Sequence, residues 1–151
     1  MIDRFERFSY GISEMSKYWH KLTTDEMEKK GLKGPHSVYI LTMHHHPEGL
    51  TATQLCGLCG KDKADVSRMM SILEKKGFVK KESVHNNHYR ATFTLTEQGK
   101  DVAEFIRKRA GLAVELAGKD LTEEQRVVFY EAMESIATNL KELSKEGLPE
   151  E

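Results

Sequence analysis

Two cysteines three residues apart, Cys56 and Cys59, follow a run of three histidines, His44, His45 and His46. Thiolates and imidazoles are natural tetrahedral ligands for zinc, and paired thiols can also sense oxidants. A Cys-x-x-Cys without a second pair fits buried packing as well, because cysteine is among the most buried residue types. Spacing alone leaves packing, a redox sensor and a metal sensor open. The histidines precede Pro47, where a helix C-terminus favours partial positive charge, so solvated helix-end residues are their simplest reading. The working expectation is a chain with no bound metal and no cofactor.

A second group is basic. Residues 61–90 carry eight bases (Lys61, Lys63, Arg68, Lys75, Lys76, Lys80, Lys81, Arg90) against four acids. The chain as a whole has a net charge of −1, and residues 120–151 carry nine acids against three bases. A basic middle on a near-neutral chain is a local footprint for an anion, of which nucleic acid is the commonest large one. A third group, Tyr10, Trp19, His20, Tyr39 and Met43, has the mixed aromatic and polar character of a small-molecule pocket. The same residue types serve as core packing. No nucleophile elbow, phosphate-binding loop or dinucleotide glycine motif occurs, and no acid–base set converges, so an enzyme is not expected.

The composition bounds what can carry these groups. With 38% apolar and 31% charged residues over 151 positions, the chain reads as one ordinary soluble domain. Such a length buries about 68–70% of its unfolded surface and needs no disulfide or metal to fold. Two Cys and seven Met suggest a reduced, cytoplasmic setting. No apolar run is long enough for a membrane span, and MIDRFERFSYG lacks the apolar segment of a secretory signal.

The elements follow from periodicity. Phe5, Phe8, Ile12, Met15, Trp19 and Leu22 recur at alternating spacings of three and four, predicting a helix over Ile2–Lys30 with a narrow heptad-like stripe. A second helix is expected over His36–His46. A third runs over Thr51–Cys59, with Thr51 as N-cap and Leu55, Cys56 and Leu58 on its apolar side. Asp62 opens a fourth helix with Val66, Met69, Met70 and Leu73 inward, stopped by Gly77. Phe78–Glu82 and Tyr89–Leu95 alternate as strands around the polar tip Ser83–His88. Thr96 caps a fifth helix with Val102, Phe105, Ile106, Leu112 and Leu116 inward. Thr122 and Gln125 form a capping box for a sixth, to about Ser144, with the stripe Phe129, Met133, Ile136, Leu140, Leu143. The fold class is mainly α with a small β-hairpin (α+β).

Two helices around Gly60-Lys61-Asp62, followed by a hairpin, make a winged helix-turn-helix. Lys63, Ala64, Ser67, Arg68 and Ser71 give its second helix a small and basic face that can sink into a major groove, where arginine pairs with guanine. Lys80, Lys81 and Arg90 at the hairpin roots would reach phosphates.

The stretch TATQLCGLCGKDKADVSRMMSILEKKGFVKK and the following TLTEQGKD resemble the MarR-type transcriptional regulators. The resemblance runs over the whole chain as a single MarR-like domain. Residues 1–34 and 96–147 correspond to dimerisation helices and 35–95 to the DNA-binding lobe. It implies a homodimer on palindromic double-stranded DNA, with helix four in the major groove. By position Lys61, Lys63, Asp65, Ser67 and Arg68 would belong to the recognition helix and its entry, while Thr53 and Gln54 would approach phosphates. The family's wing tip is often Asp-Arg-Arg-like; Asn87-His88-Tyr89 stands here, with His85, His88 and Arg90 as the available donors. The resemblance further implies a repressor relieved by a small aromatic or anionic effector held by Tyr10, Trp19, His20, Tyr39 and Met43.

Overall fold

The computed structural model describes residues 3–84 and 87–150, with the backbone alone for 84 and 87–90. The elements run α1 (Arg4–Glu28), α2 (His36–His44), β1 (Leu50–Thr51), α3 (Ala52–Cys59), α4 (Lys63–Lys75), β2 (Val79–Val84), β3 (Asn87–Leu95), α5 (Glu97–Ala117) and α6 (Glu123–Glu146). The chain divides into two compact units, residues 1–111 and 112–151.

Side-chain caps place most of the helix starts. Asp3 with Glu6, Thr51 with Gln54, and Thr122 with Gln125 each close a reciprocal capping box. Asp62 caps α4 by accepting from the Asp65 backbone N–H. Thr96 accepts from the Gly99 N–H at 3.1 Å and donates to the Gly77 carbonyl at 2.6 Å, so it both opens α5 and ties it to the end of α4. Gly60 adopts φ 63°, a left-handed C-cap that lets α3 turn abruptly into α4.

The sheet has the order β1-β3-β2, all antiparallel. Phe93 is its centre, opposite Leu50 on one side and Lys81 on the other. The two-residue strand β1 was not expected from sequence, because two residues carry no measurable alternation. β2 and β3 extend into the expected polar tip, pairing Val84 with Asn87 across a register irregularity. His85 and Asn86 lie outside the described residues. α2 ends two residues before the expected His46, with His45 as a helical C-cap.

Unit one holds the core: Met27 and Leu32, Tyr39, Ile40 and Met43 of α2, Leu55, Val66, Met70 and Leu73 of α3 and α4, Phe93 and Leu95, and Val102, Ala103 and Ile106 of α5. Gly99 lets α5 approach the hairpin entry, since a Cβ there would stand 2.0 Å from the Phe78 carbonyl oxygen. Polar ties add to this packing. Arg109 grips Glu26 with two nitrogens, at 2.7 and 3.2 Å, linking α5 to α1. With Lys29 also donating, this holds the Glu26 carboxyl down to about 2. Lys76 at the end of α4 donates to the Gly31 carbonyl at 2.9 Å.

In unit two, Arg126 pairs with Glu115 at 2.6 Å and donates to the Gly118 carbonyl, fixing the turn into α6. Leu112 and Leu116, expected to point inward, are 46% and 59% exposed, and α6 buries none of its residues. An amphipathic period identifies a face that needs a partner but not where the partner is.

Candidate nucleic-acid interface

The site begins with the capping of α3 and α4. Thr51 accepts from the Gln54 backbone N–H at 3.2 Å, and the Gln54 side chain accepts from the Thr51 N–H at 2.9 Å. Gln54 is thereby committed to the cap, while the Thr53 side chain stays exposed on the first turn. That turn presents unpaired backbone N–H groups and the positive end of the helix, the standard setting for a phosphate.

α4 then crosses beside it. Its inward face is Val66, Met70 and Leu73, all buried, with Met69 half-buried as the period requires. Its outward face is Lys63, Ala64, Ser67, Arg68, Ser71 and Lys75, all exposed. A groove of about 420 Å³ runs between the start of α3, α4 and the sheet. Thr53, Lys63, Ser67, Ser71 and Lys81 line it above a floor that includes Val66, Met70 and Phe93. The structure therefore gathers Thr53, Lys63, Ser67 and Lys81, expected from sequence as separate contacts, into one concavity. Ser71 and Glu74 join them. The Lys81 ammonium sits 5.7 Å from the Phe93 ring centre, within cation–π range.

The other expected residues are placed differently. Lys61 is exposed in the α3–α4 turn. Arg68 lies outside the groove lining, at the middle of the exposed face of α4, with one nitrogen 3.2 Å from Asp65 Oδ1. Lys80 is exposed and 3.4 Å from Glu82. The side chains of His88 and Arg90 lie outside the described residues.

Asp65 and Tyr39 meet where sequence reasoning did not place them together. The Tyr39 hydroxyl donates to Asp65 Oδ2, joining the interior of α2 to the first turn of α4. This bond, with Arg68 and Lys61 nearby, holds the Asp65 carboxyl below the usual carboxylate range. Burial and the carboxylate push the Tyr39 phenol up. The available signal was a tyrosine inside the apolar run Val38–Leu41, whose hydroxyl must find a partner once the ring is buried.

The five residues expected to hold an effector are not brought together. Tyr39 and Met43 belong to the core, whereas Tyr10, Trp19 and His20 are exposed along α1. Both cysteines are half-buried, and Cys59 Sγ lies 3.5 Å from Thr42 Oγ1. Burial pushes the Cys59 thiol up, away from the thiolate that metals and oxidants require. His44 Nε2 lies 3.3 Å from Glu104 and 3.2 Å from Arg107, and His46 bonds Glu48 at 2.9 Å. Among the described residues, no three metal-ligating side chains converge.

Comparison with known proteins agrees with this geometry. The IclR helix-turn-helix domain family matches residues 41–83. No curated protein matches the chain by sequence. Among solved structures, a putative MarR family transcriptional regulator from Listeria monocytogenes complexed with 26mer DNA is 19% identical. The match covers 100% of this chain and 99% of that one, with a TM-score of 0.79. A MarR transcriptional regulator from Methanosarcina mazei Go1 is 19% identical over 91% of this chain and 99% of its own, with a TM-score of 0.80. The S. aureus MepR–DNA complex is 16% identical over 88% and 97%, with a TM-score of 0.77. The chain has the winged helix-turn-helix fold of the MarR-type transcriptional regulators.

Proposed function

We propose that this chain is a sequence-specific DNA-binding transcription regulator that acts as a homodimer in the cytoplasm. It is a binding protein rather than an enzyme. The observation that carries this reading is the groove beside α4. One helix N-terminus, two lysines, four hydroxyls and one carboxylate, Glu74, line one concavity, and an exposed arginine stands on the adjacent face of α4. Small residues let α4 approach base edges, Arg68 supplies a paired donor for guanine, and Thr53, Lys63 and Lys81 suit phosphates. Two solved proteins of the same fold are complexed with DNA.

Dimerisation completes the reading. The α1 stripe of Phe5, Phe8, Ile12, Met15, Trp19 and Leu22 is 40–72% exposed, and the α6 stripe is 41–45% exposed. Apolar faces of this extent exceed what a monomer normally leaves to water. A second copy covering them would set two α4 helices on successive major grooves, roughly 34–36 Å apart. Repression relieved by a small aromatic or anionic effector is the regulatory half of the proposal. The effector would act by changing that spacing, which couples its site to DNA affinity. Selection from random duplex DNA tests the proposal. A palindrome with half-sites one helical turn apart is expected, and failure to enrich any sequence would overturn it.

A further inference from the structure

Tyr39 has no exposed surface, yet its hydroxyl leaves the core to reach a residue of the recognition helix. The acceptor, Asp65, is held on three sides. Its Oδ2 takes the Tyr39 proton, its backbone N–H donates to Asp62 at 2.8 Å, and its Oδ1 accepts from Arg68 Nη2 at 3.2 Å. Both carboxylate oxygens are thus engaged within the protein. Arg68 is the opposite case, with 70% of its side chain exposed against 25% for Asp65. It projects between Ala64, Ser71 and Lys75, which lie four before, three after and seven after it on the same face. A long, flexible side chain in that position would sample many orientations unless something fixed its guanidinium.

We propose that Asp65 is a positioning residue rather than a base-reading one. Anchored from the core by Tyr39, it takes one Nη2 hydrogen of Arg68 and so holds the guanidinium in one orientation, leaving the second Nη2 hydrogen and the neighbouring nitrogen on the free edge to present a donor pair to guanine O6 and N7 in the major groove. The inference rests on the DNA-binding reading above and names the specificity device within that site. A carboxylate that fixes an arginine lowers the ordering cost of each contact the arginine then makes. The anchor lies in the core, so the orientation of Arg68 depends on the packing of α2 against α4.

The test is a double-mutant cycle read on base preference. Duplex DNA is selected with the wild-type chain. Binding of the selected site and of its single-base variants is then titrated for wild type, Tyr39→Phe, Arg68→Ala and the double variant. Arg68→Ala is expected to relax preference at one base pair per half-site. Tyr39→Phe should lose roughly tenfold in preference at that same pair, with its salt dependence unchanged. In the Arg68→Ala background it should change that preference less than twofold. Asp65→Asn, which leaves the core intact, should relax the same pair and carries the test if Tyr39→Phe unfolds. Additive effects of Tyr39→Phe and Arg68→Ala would overturn the proposal. So would a uniform loss on all sequences, or relaxation by Asp65→Asn at a different base pair, which would make Asp65 a reader itself. These failures leave DNA binding standing. If the wild type selects no sequence, the DNA-binding reading falls, and this inference with it.

Discussion

α4 and α6 are both amphipathic helices with apolar residues at alternating spacings of three and four, yet their fates differ. In α4, Val66, Met70 and Leu73 are buried by their own lobe, leaving a polar face free for chemistry. In α6, Phe129, Met133, Ile136, Leu140 and Leu143 stay 41–45% exposed, and no residue of the helix is buried. The contrast separates two uses of one pattern. A helix satisfied on its apolar side offers its polar side to a ligand. A helix left unsatisfied on its apolar side offers that side to another protein surface.

The largest effect should come from breaking the second use. Ile136→Asp, in the middle of the α6 stripe, places a charge where the proposed dimer buries a side chain. Self-association should weaken by at least about a hundredfold, on the order of 3 kcal/mol. Light scattering should then report a 17.3 kDa species at micromolar concentration. A wild-type chain that was itself monomeric at that concentration would remove the contrast altogether.

The packing of the lobe is the next target. Gly99→Ala forces a methyl group against the Phe78 carbonyl. It should cost roughly 1–3 kcal/mol or more, read as a lower urea midpoint with an unchanged slope. A neutral outcome would mean that α5 and the hairpin entry can shift apart without loss.

Smaller effects sharpen the chemistry of the α4 side. Lys81→Ala should weaken binding to all duplexes alike and reduce the salt slope by about one. A change in base preference instead would put Lys81 among the readers. The pH response is smaller still. Asp65 is held below its usual range, chiefly by the Tyr39 hydrogen bond. Its contribution to stability is therefore full above the unfolded carboxyl range and lost as pH falls through the depressed folded value. Asp65→Asn should flatten the acid limb of thermal stability below about pH 4. An unaltered acid limb would show that the carboxylate gains nothing from Tyr39.

Much of this was legible in the sequence because it depends on local spacing. The Thr51 N-cap, the capping pair of Thr122 with Gln125, the turn at Gly60 and the α4 stripe each lie within a few residues, although Gln54, expected at phosphates, closes the Thr51 cap instead. What escaped depends on distant residues meeting. Tyr39 and Asp65 are 26 positions apart, and taken singly Tyr39 reads as a pocket aromatic and Asp65 as a recognition-helix contact. Gly99 looks like a weak point in a helix until the Phe78 carbonyl is set beside it. Leu112 and Leu116 show the converse limit, since their period marked an apolar face without saying that water would meet it. Thr53, Lys63, Ser67 and Lys81 were each legible as separate contacts, but their shared concavity required the sheet register that sets Lys81 opposite Phe93.

The central claim is that the exposed face of α4 reads DNA sequence. It is tested most directly by the affinity of wild type and Arg68→Ala for a selected palindrome at two salt concentrations. The account predicts a loss of roughly 1–3 kcal/mol per half-site at both, with relaxed preference at one base pair in each half-site. An Arg68→Ala chain that binds the palindrome as tightly as wild type at both salt concentrations would contradict it.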